Sequence, residues 1–320
     1  MNAVATESTR VAYGHALCEL GADNRDIVVV DADLTTCTMT YYFAQRFPER
    51  FFNGGIAESN MVGVGAGLAA AGKTVFVNSF AMFSAGRAYD QVRNSVCYPH
   101  LNVKVVGTHA GLSVGEDGAT HQCIEDISLM RTIPGMTVIV PCDANEARLA
   151  TAAMTQWDGP CYLRLGRSPV PNVTAAVDGY EFTIGKAATV REGTDATIIA
   201  CGLMVGKALK AAATLEASDG LHVRVLDMHT IKPLDRKAVL AAARETGAIV
   251  TAEEHNVIGG LGAAVGEVLG EEESSLRVPV VKVGVDDVFG HSGSAEECLD
   301  AYGLTAEHVV EAVRQARALR

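Results

Sequence analysis

Short runs of valine and isoleucine, separated by helix-forming stretches, constrain this chain most. Ile27-Val-Val-Val-Asp31 is apolar at successive positions and ends in an acid. A strand of that kind has to be covered on both faces, the situation in a parallel sheet flanked by helices. Thr74-Val-Phe-Val-Asn78, Val103-Lys-Val-Val-Gly107 and Thr137 to Val140 read as further strands, with a short one in Phe51-Phe-Asn-Gly-Gly-Ile-Ala57. Helices are expected over Thr9 to Leu20, with Ser8 or Thr9 as N-cap, over the small-residue stretch Asn60 to Ala71, and over Arg87 to Val96. The alternation predicts a doubly wound α/β domain over roughly residues 1–170.

Ser168-Pro-Val-Pro-Asn-Val-Thr then has the composition of a linker. A second alternation follows, with strands at 196–200, 222–227, 248–252 and 278–283 and helices at 205–218, 235–245, 259–269 and 305–318. The expected division is a first domain over 1–175 and a smaller α/β domain over 186–320, which suits a chain of 320 residues. A net charge of −12 argues against nucleic acid or an anionic membrane as the main partner. No stretch approaches the ~20 apolar residues of a membrane span, and the N-terminal residues lack the apolar stretch of a signal peptide. The eight cysteines are scattered, with no Cys-x-x-Cys pair. That pattern fits reduced thiols in a cytoplasmic protein rather than a zinc site or a disulfide framework.

The chemistry-bearing segment is Thr108-His-Ala-Gly-Leu-Ser-Val-Gly-Glu-Asp-Gly-Ala-Thr-His121. It leaves a buried strand and coils through glycines, setting His109 and His121 around Glu116 and Asp117. Imidazole titrates near neutral pH, and a carboxylate can hold one tautomer or steady a cation. Glu58 lies between a strand end and a small-residue helix. It is either a helix N-terminal acid favoured by the macrodipole or a buried carboxylate meant for a ligand nitrogen. Phe80 and Phe83, in Phe80-Ala-Met-Phe83, are either core or the walls of a pocket for a flat heterocycle. Arg167 ends a strand-like run, placed for bidentate capture of phosphate or carboxylate, or for an ion pair with a surface acid. Arg87 and Arg93 read as solvated or ion-paired. Asp31 and Asp33 bracket a strand end, as cleft residues or helix caps. The glycine run Gly259 to Gly266 superficially suggests a dinucleotide loop, but no ribose acid follows at the expected spacing, and close packing or a subunit contact explains it better.

Taken together, Asp31-Ala-Asp-Leu34, Gly55-Ile-Ala-Glu-Ser59, Ser79-Phe-Ala-Met-Phe83, Gly115-Glu-Asp-Gly-Ala-Thr-His-Gln122 and Leu165-Gly-Arg167 resemble the transketolase family of thiamine diphosphate enzymes. The resemblance covers essentially the whole chain and is to the C-terminal section only, the pyrimidine-binding domain followed by the transketolase C-terminal domain. Deoxyxylulose phosphate synthases share part of the pattern, and Arg87-Ala-Tyr-Asp-Gln-Val92 is closer to theirs. The resemblance implies that Glu58 hydrogen-bonds the aminopyrimidine and favours the imino tautomer that removes the thiazolium C2 proton, the cofactor carrying the hard chemistry. It implies that Phe80 and Phe83 wall the pyrimidine pocket and that Asp33 lies near the cofactor. Asp117 and His121 would contact substrate, and His109, Arg167 and Arg10 would grip a sugar phosphate. Cys37 stands where a phosphate-contacting serine is usual, and Gly86 near where a third pocket aromatic is common.

The family holds its diphosphate through Mg²⁺ or Ca²⁺ bound by a Gly-Asp-Gly segment and a later asparagine, oxygen ligands suited to hard cations. No Gly-Asp-Gly occurs here. The resemblance therefore implies half an enzyme with no metal ligands of its own. A separate N-terminal, diphosphate-binding subunit would complete it, as an α₂β₂ assembly with its site between chains. Together they would move a two-carbon ketol unit between sugar phosphates. The alternatives are a deoxyxylulose phosphate synthase-like protein, an α-ketoacid dehydrogenase β-type subunit, and a non-catalytic assembly subunit. Glu253, Glu254 and His255, read as a strand end, are left for a partner contact or dimer stabilisation.

Overall fold

The computed structural model describes residues 5–271 and 277–320, so residues 1–4 of the N-terminal stretch lie outside the described residues. The strands are β1 (Thr6–Glu7), β2 (Ile27–Asp31), β3 (Phe51–Asn53), β4 (Thr74–Phe80), β5 (Val103–Thr108), β6 (Thr137–Ile139), β7 (Cys161–Arg164), β8 (Val170–Pro171), β9 (Ala188–Arg191), β10 (Ala196–Ala200), β11 (Val223–Asp227), β12 (Thr230–Lys232), β13 (Ile249–Asn256) and β14 (Val280–Val285). One sheet runs in the order β12-β6-β7-β5-β4-β2-β3 and a second in the order β14-β13-β10-β11-β9. In the first, all neighbours are parallel except β12, which runs antiparallel to β6. In the second, β9 is the antiparallel edge.

The valine runs explain the first sheet. β2, β4 and β5 are buried at every position, as strands covered by helices on both sides must be. Helix Glu58–Ala70 lies close on this sheet, and its small residues permit the approach. A Cβ at Gly65 would come within 2.5 Å of a Val77 methyl. The apolar interior is continuous between the two sheets: Val30, Val77 and Met130 belong to the same cluster as Ile199, Val239 and Leu261. β12 comes from beyond the linker and completes the edge of the first sheet, so the two halves share backbone hydrogen bonds as well as core.

Several local expectations shift. The helix expected over Arg87 to Val96 starts earlier and is irregular, with π-helical turns at Met82–Arg87 and Val92–Cys97 around Tyr89–Gln91. Arg87 ends the first of these turns and reaches Glu58. The loop after β5 contains a short helical segment, Leu112–Asp117, kinked at Gly115. Ser8 stands at the N-cap of helix Thr9–Asp23 but makes no side-chain cap bond. β13 continues to Asn256, so Glu253, Glu254 and His255 are inside a strand and buried rather than presented at its end. Helix Ala295–Ala301, with its Ser294 capping box, adds an element the periodicity did not reveal. All eight cysteines are free thiols. Among the described residues no helix is long and apolar enough to cross a membrane.

Candidate active site

The carboxyl ends of β2, β4, β5 and β7 open on one side of the first sheet, the edge where α/β proteins place ligands. Glu58 starts helix Glu58–Ala70 and is only 2% exposed. Arg87 Nη1 donates to both of its carboxylate oxygens at 3.0 Å. The same guanidinium lies over the Phe83 ring, 4.5 Å from its centre. Arg87 is therefore ion-paired, one of the two fates expected for it, and the partner is the buried acid.

A row of rings continues from there. Phe80 stacks on Phe83 at 5.9 Å and on His109 at 3.9 Å. His121 meets Phe83 edge-on at 5.3 Å and Phe80 at 6.0 Å. The ends of β4 and β5 are adjacent in register, Phe80 opposite Thr108, which brings Phe80 beside His109. His109 adopts a left-handed backbone, φ 56°, uncommon for a residue with a side chain. Burial, followed by the charges of Arg10 and Arg167 and then His121, lowers its pKa to about 3. His109 is thus a neutral imidazole across the physiological range.

The two arginines form a second group. Arg10 donates from Nε to the Arg167 carbonyl at 3.2 Å and from Nη1 to the Cys37 carbonyl at 2.7 Å. Cys37 therefore contributes its backbone to the arginine cluster. Arg167 Nη1 donates to Glu116 Oε2 at 2.6 Å and to the Val114 carbonyl. This is the surface-acid pairing that the sequence left open for Arg167. Asp117 is exposed at the end of the same turn. Asp33 is exposed and accepts from Asn53 Nδ2 at 3.0 Å. Asp31, in contrast, is structural. It accepts from Leu34 N, Thr38 Oγ1 and Thr40 Oγ1, at 2.7, 2.7 and 2.9 Å, and shapes the turn after β2.

The structure thus gathers Glu58, Phe80, Phe83, His109 and His121 into one contiguous group, with Arg10 and Arg167 beside it. Asp33 and Asp117 are exposed to solvent. Beneath the group runs a buried frame that sequence reasoning did not single out. Arg164 Nε donates to Asp126 Oδ2 at 2.8 Å, and Tyr162 Oη donates to the same oxygen at 2.7 Å. The available signal was an arginine inside the otherwise apolar run that leads to Leu165. The Gly259 run is closed by its own chain. Glu253 accepts from Leu261 N at 2.7 Å and Gly262 N at 2.8 Å, filling the helix end where a phosphate would have to bind.

Two family models match. The transketolase pyrimidine binding domain matches residues 5–172, and the transketolase C-terminal domain matches residues 185–309. A 6-deoxy-6-sulfo-D-fructose transketolase subunit of Clostridium sp. is 46% identical over 306 residues, 96% of this chain and 93% of the relative. An apulose-4-phosphate transketolase subunit of Phocaeicola vulgatus is 41% identical over 300 residues, 94% of each chain. The solved structure of a split-gene transketolase, an inactive β₄ tetramer, superposes with a TM-score of 0.89 at 54% identity, covering 98% of this chain and 99% of that one.

Proposed function

Since this chain belongs to the transketolase family, we propose that it is the pyrimidine-binding subunit of a split transketolase. In this reading residues 1–175 hold the pyrimidine end of thiamine diphosphate and residues 186–320 form the C-terminal domain. A separate subunit contributes the diphosphate site and its Mg²⁺ or Ca²⁺, in an α₂β₂ cytoplasmic assembly. Two relatives that match over nearly their whole length are named as subunits, which supports the division of labour.

The observation that carries the reading is the environment of Glu58. Its buried carboxylate faces a planar nitrogen group, the Arg87 guanidinium, which rests on an aromatic face. An aminopyrimidine is likewise planar, offers nitrogen at its edge and stacks on rings, so the residues present fit that group. Thiamine diphosphate, when bound, supplies the carbanion equivalent that the reaction needs. Glu58 would hold a proton at the pyrimidine edge, and burial would keep water from competing for it. Phe80 and Phe83 would fix the ring plane. His109, neutral because of its burial and the neighbouring arginines, would offer a hydrogen bond without adding charge. His121 and Asp117 would meet substrate hydroxyls and carbonyl, and Arg167 with Arg10 would take the phosphate.

The test is reconstitution. The chain mixed with a partner polypeptide bearing a Gly-Asp-Gly diphosphate site is expected to transfer a ketol unit from xylulose 5-phosphate to an aldose phosphate, and the chain alone is not. Turnover by the isolated chain would overturn the half-site. Turnover of pyruvate in place of the ketose phosphate would favour a deoxyxylulose phosphate synthase-like or ketoacid dehydrogenase-like activity.

A further inference from the structure

The acidic triplet in β13 has no part in the proposed chemistry, yet it reaches the site. Glu253 serves its own domain by capping the helix that follows. Glu254 points the other way. Its Oε1 accepts the Ser113 N–H at 2.6 Å, across 141 residues of chain. Ser113 lies in the first turn of the helical segment Leu112–Asp117, where backbone N–H groups have no partner within the helix. The residue at the N-cap is Gly111, which has no side chain to offer. It takes φ +80°, and a Cβ there would lie 2.2 Å from Glu254 Cδ. The place of a local cap is filled by a carboxylate from the second domain.

We propose that Glu254 is a positioning residue that caps the substrate loop across the domain boundary and so sets where Asp117 and His121 stand. Past the turn it caps, across a kink at Gly115, the segment carries Glu116, which pairs with Arg167, then Asp117, and runs on into His121. The other end of the loop is tied to the same frame. The Cys123 carbonyl accepts Gly111 N at 2.8 Å. Arg164 Nη2 donates to the Glu254 carbonyl at 2.8 Å and to the Cys123 carbonyl at 3.3 Å. A shift of β13 would therefore move both ends of the loop together. A buried carboxylate is a costly way to join two domains, since apolar side chains of similar volume do so at least as well. Its directional bond to one N–H is what apolar packing cannot supply.

The catalytic consequence rests on the ketol-transfer reading, but the structural one does not, and hydrogen–deuterium exchange separates them. In the reconstituted enzyme, Glu254→Ala is expected to speed exchange over residues 112–121 by about tenfold, the scale of one lost charge-assisted bond, while amides of β4 and β5 keep their protection. Glu254→Gln retains an acceptor oxygen and is expected within about threefold of the native rate. In assay, Glu254→Ala raises the KM for the sugar phosphate more than it lowers kcat, and Glu254→Gln restores most of the loss. Unchanged exchange over 112–121, or loosening spread evenly through the chain, overturns the proposal. Should Glu254→Ala not fold, Glu254→Asp, too short to reach Ser113, is expected to give the same local loosening, and unchanged exchange there overturns the proposal equally. Local loosening in a protein that transfers no ketol unit would sink the activity and leave the cap standing.

Discussion

Glu58 and Arg87 form an ion pair in which one guanidinium nitrogen serves both carboxylate oxygens, with the acid buried and the base half exposed. The pair occupies the face of Phe83, where the proposed function needs a flat heterocycle. In the proposed function Arg87 would hold the carboxylate in place until the pyrimidine takes over its bond.

Glu58→Ala is expected to reduce ketol transfer by about 10²-fold or more, the scale of a lost acid–base group, with the hetero-oligomer still forming on size-exclusion chromatography. Retention of most activity would remove Glu58 from the chemistry. Arg87→Ala frees the carboxylate, and because half-exposed ion pairs contribute at most ~1 kcal/mol, coenzyme binding should tighten by up to about fivefold by titration calorimetry. A clear weakening would mean that Arg87 holds the pyrimidine itself rather than its place.

His109 supplies a pH test. Its folded pKa of about 3 lies below the ordinary histidine value, through burial first and then the Arg10 and Arg167 charges. The unfolded chain therefore binds more protons than the native one between about pH 6.5 and 3. The stability linked to this residue is present above about pH 6.5 and is lost as pH falls toward 3. His109→Asn should flatten that acid-side loss in thermal melts. In the native protein the His109 imidazole resonances should not move between pH 5 and 8, and a midpoint inside that range would contradict the neutral assignment.

Arg167 already engages a carboxylate, Glu116, so the phosphate of a substrate must compete for it. Arg167→Ala should raise the KM for a phosphorylated acceptor about 10- to 100-fold, the scale of lost charge-assisted bonds. An unphosphorylated aldose should be nearly unaffected. Equal losses for both acceptors would place Arg167 in loop architecture instead of phosphate capture.

A buried acid pair between the domains predicts pH dependence of opposite sign. Glu146 and Asp227 converge with Cys142 within 4.8 Å, and both carboxyls are fully buried. Burial pushes both carboxyls upward. Their folded forms hold protons that the unfolded chain has released, so the linked stability is complete below about pH 4 and falls as pH rises through the raised values. Glu146→Gln should keep the bond from Cys142 N on its amide oxygen and donate an amide N–H to Tyr180 Oη in place of the bond it received, while flattening that decline. Melting temperatures from pH 5 to 9 that run parallel in both proteins would refute this.

The two sheets and their parallel strands were legible because a strand buried on both faces writes itself as a run of valine and isoleucine, and the small-residue helix shows where close packing is required. The residue types of the site were legible too: Glu58, the two phenylalanines and the two histidines stand in a recognisable order. Tertiary structure decided the pairings. Which base meets Glu58, which way Glu254 faces, that β12 crosses to the other sheet, and that His109 stays neutral all follow from where strands end and how deeply each group is buried. Periodicity is set within a turn or a strand, so sequence carries it. The partners of the site arginines lie 27 to 157 positions away and meet only when the sheet brings its carboxyl ends together.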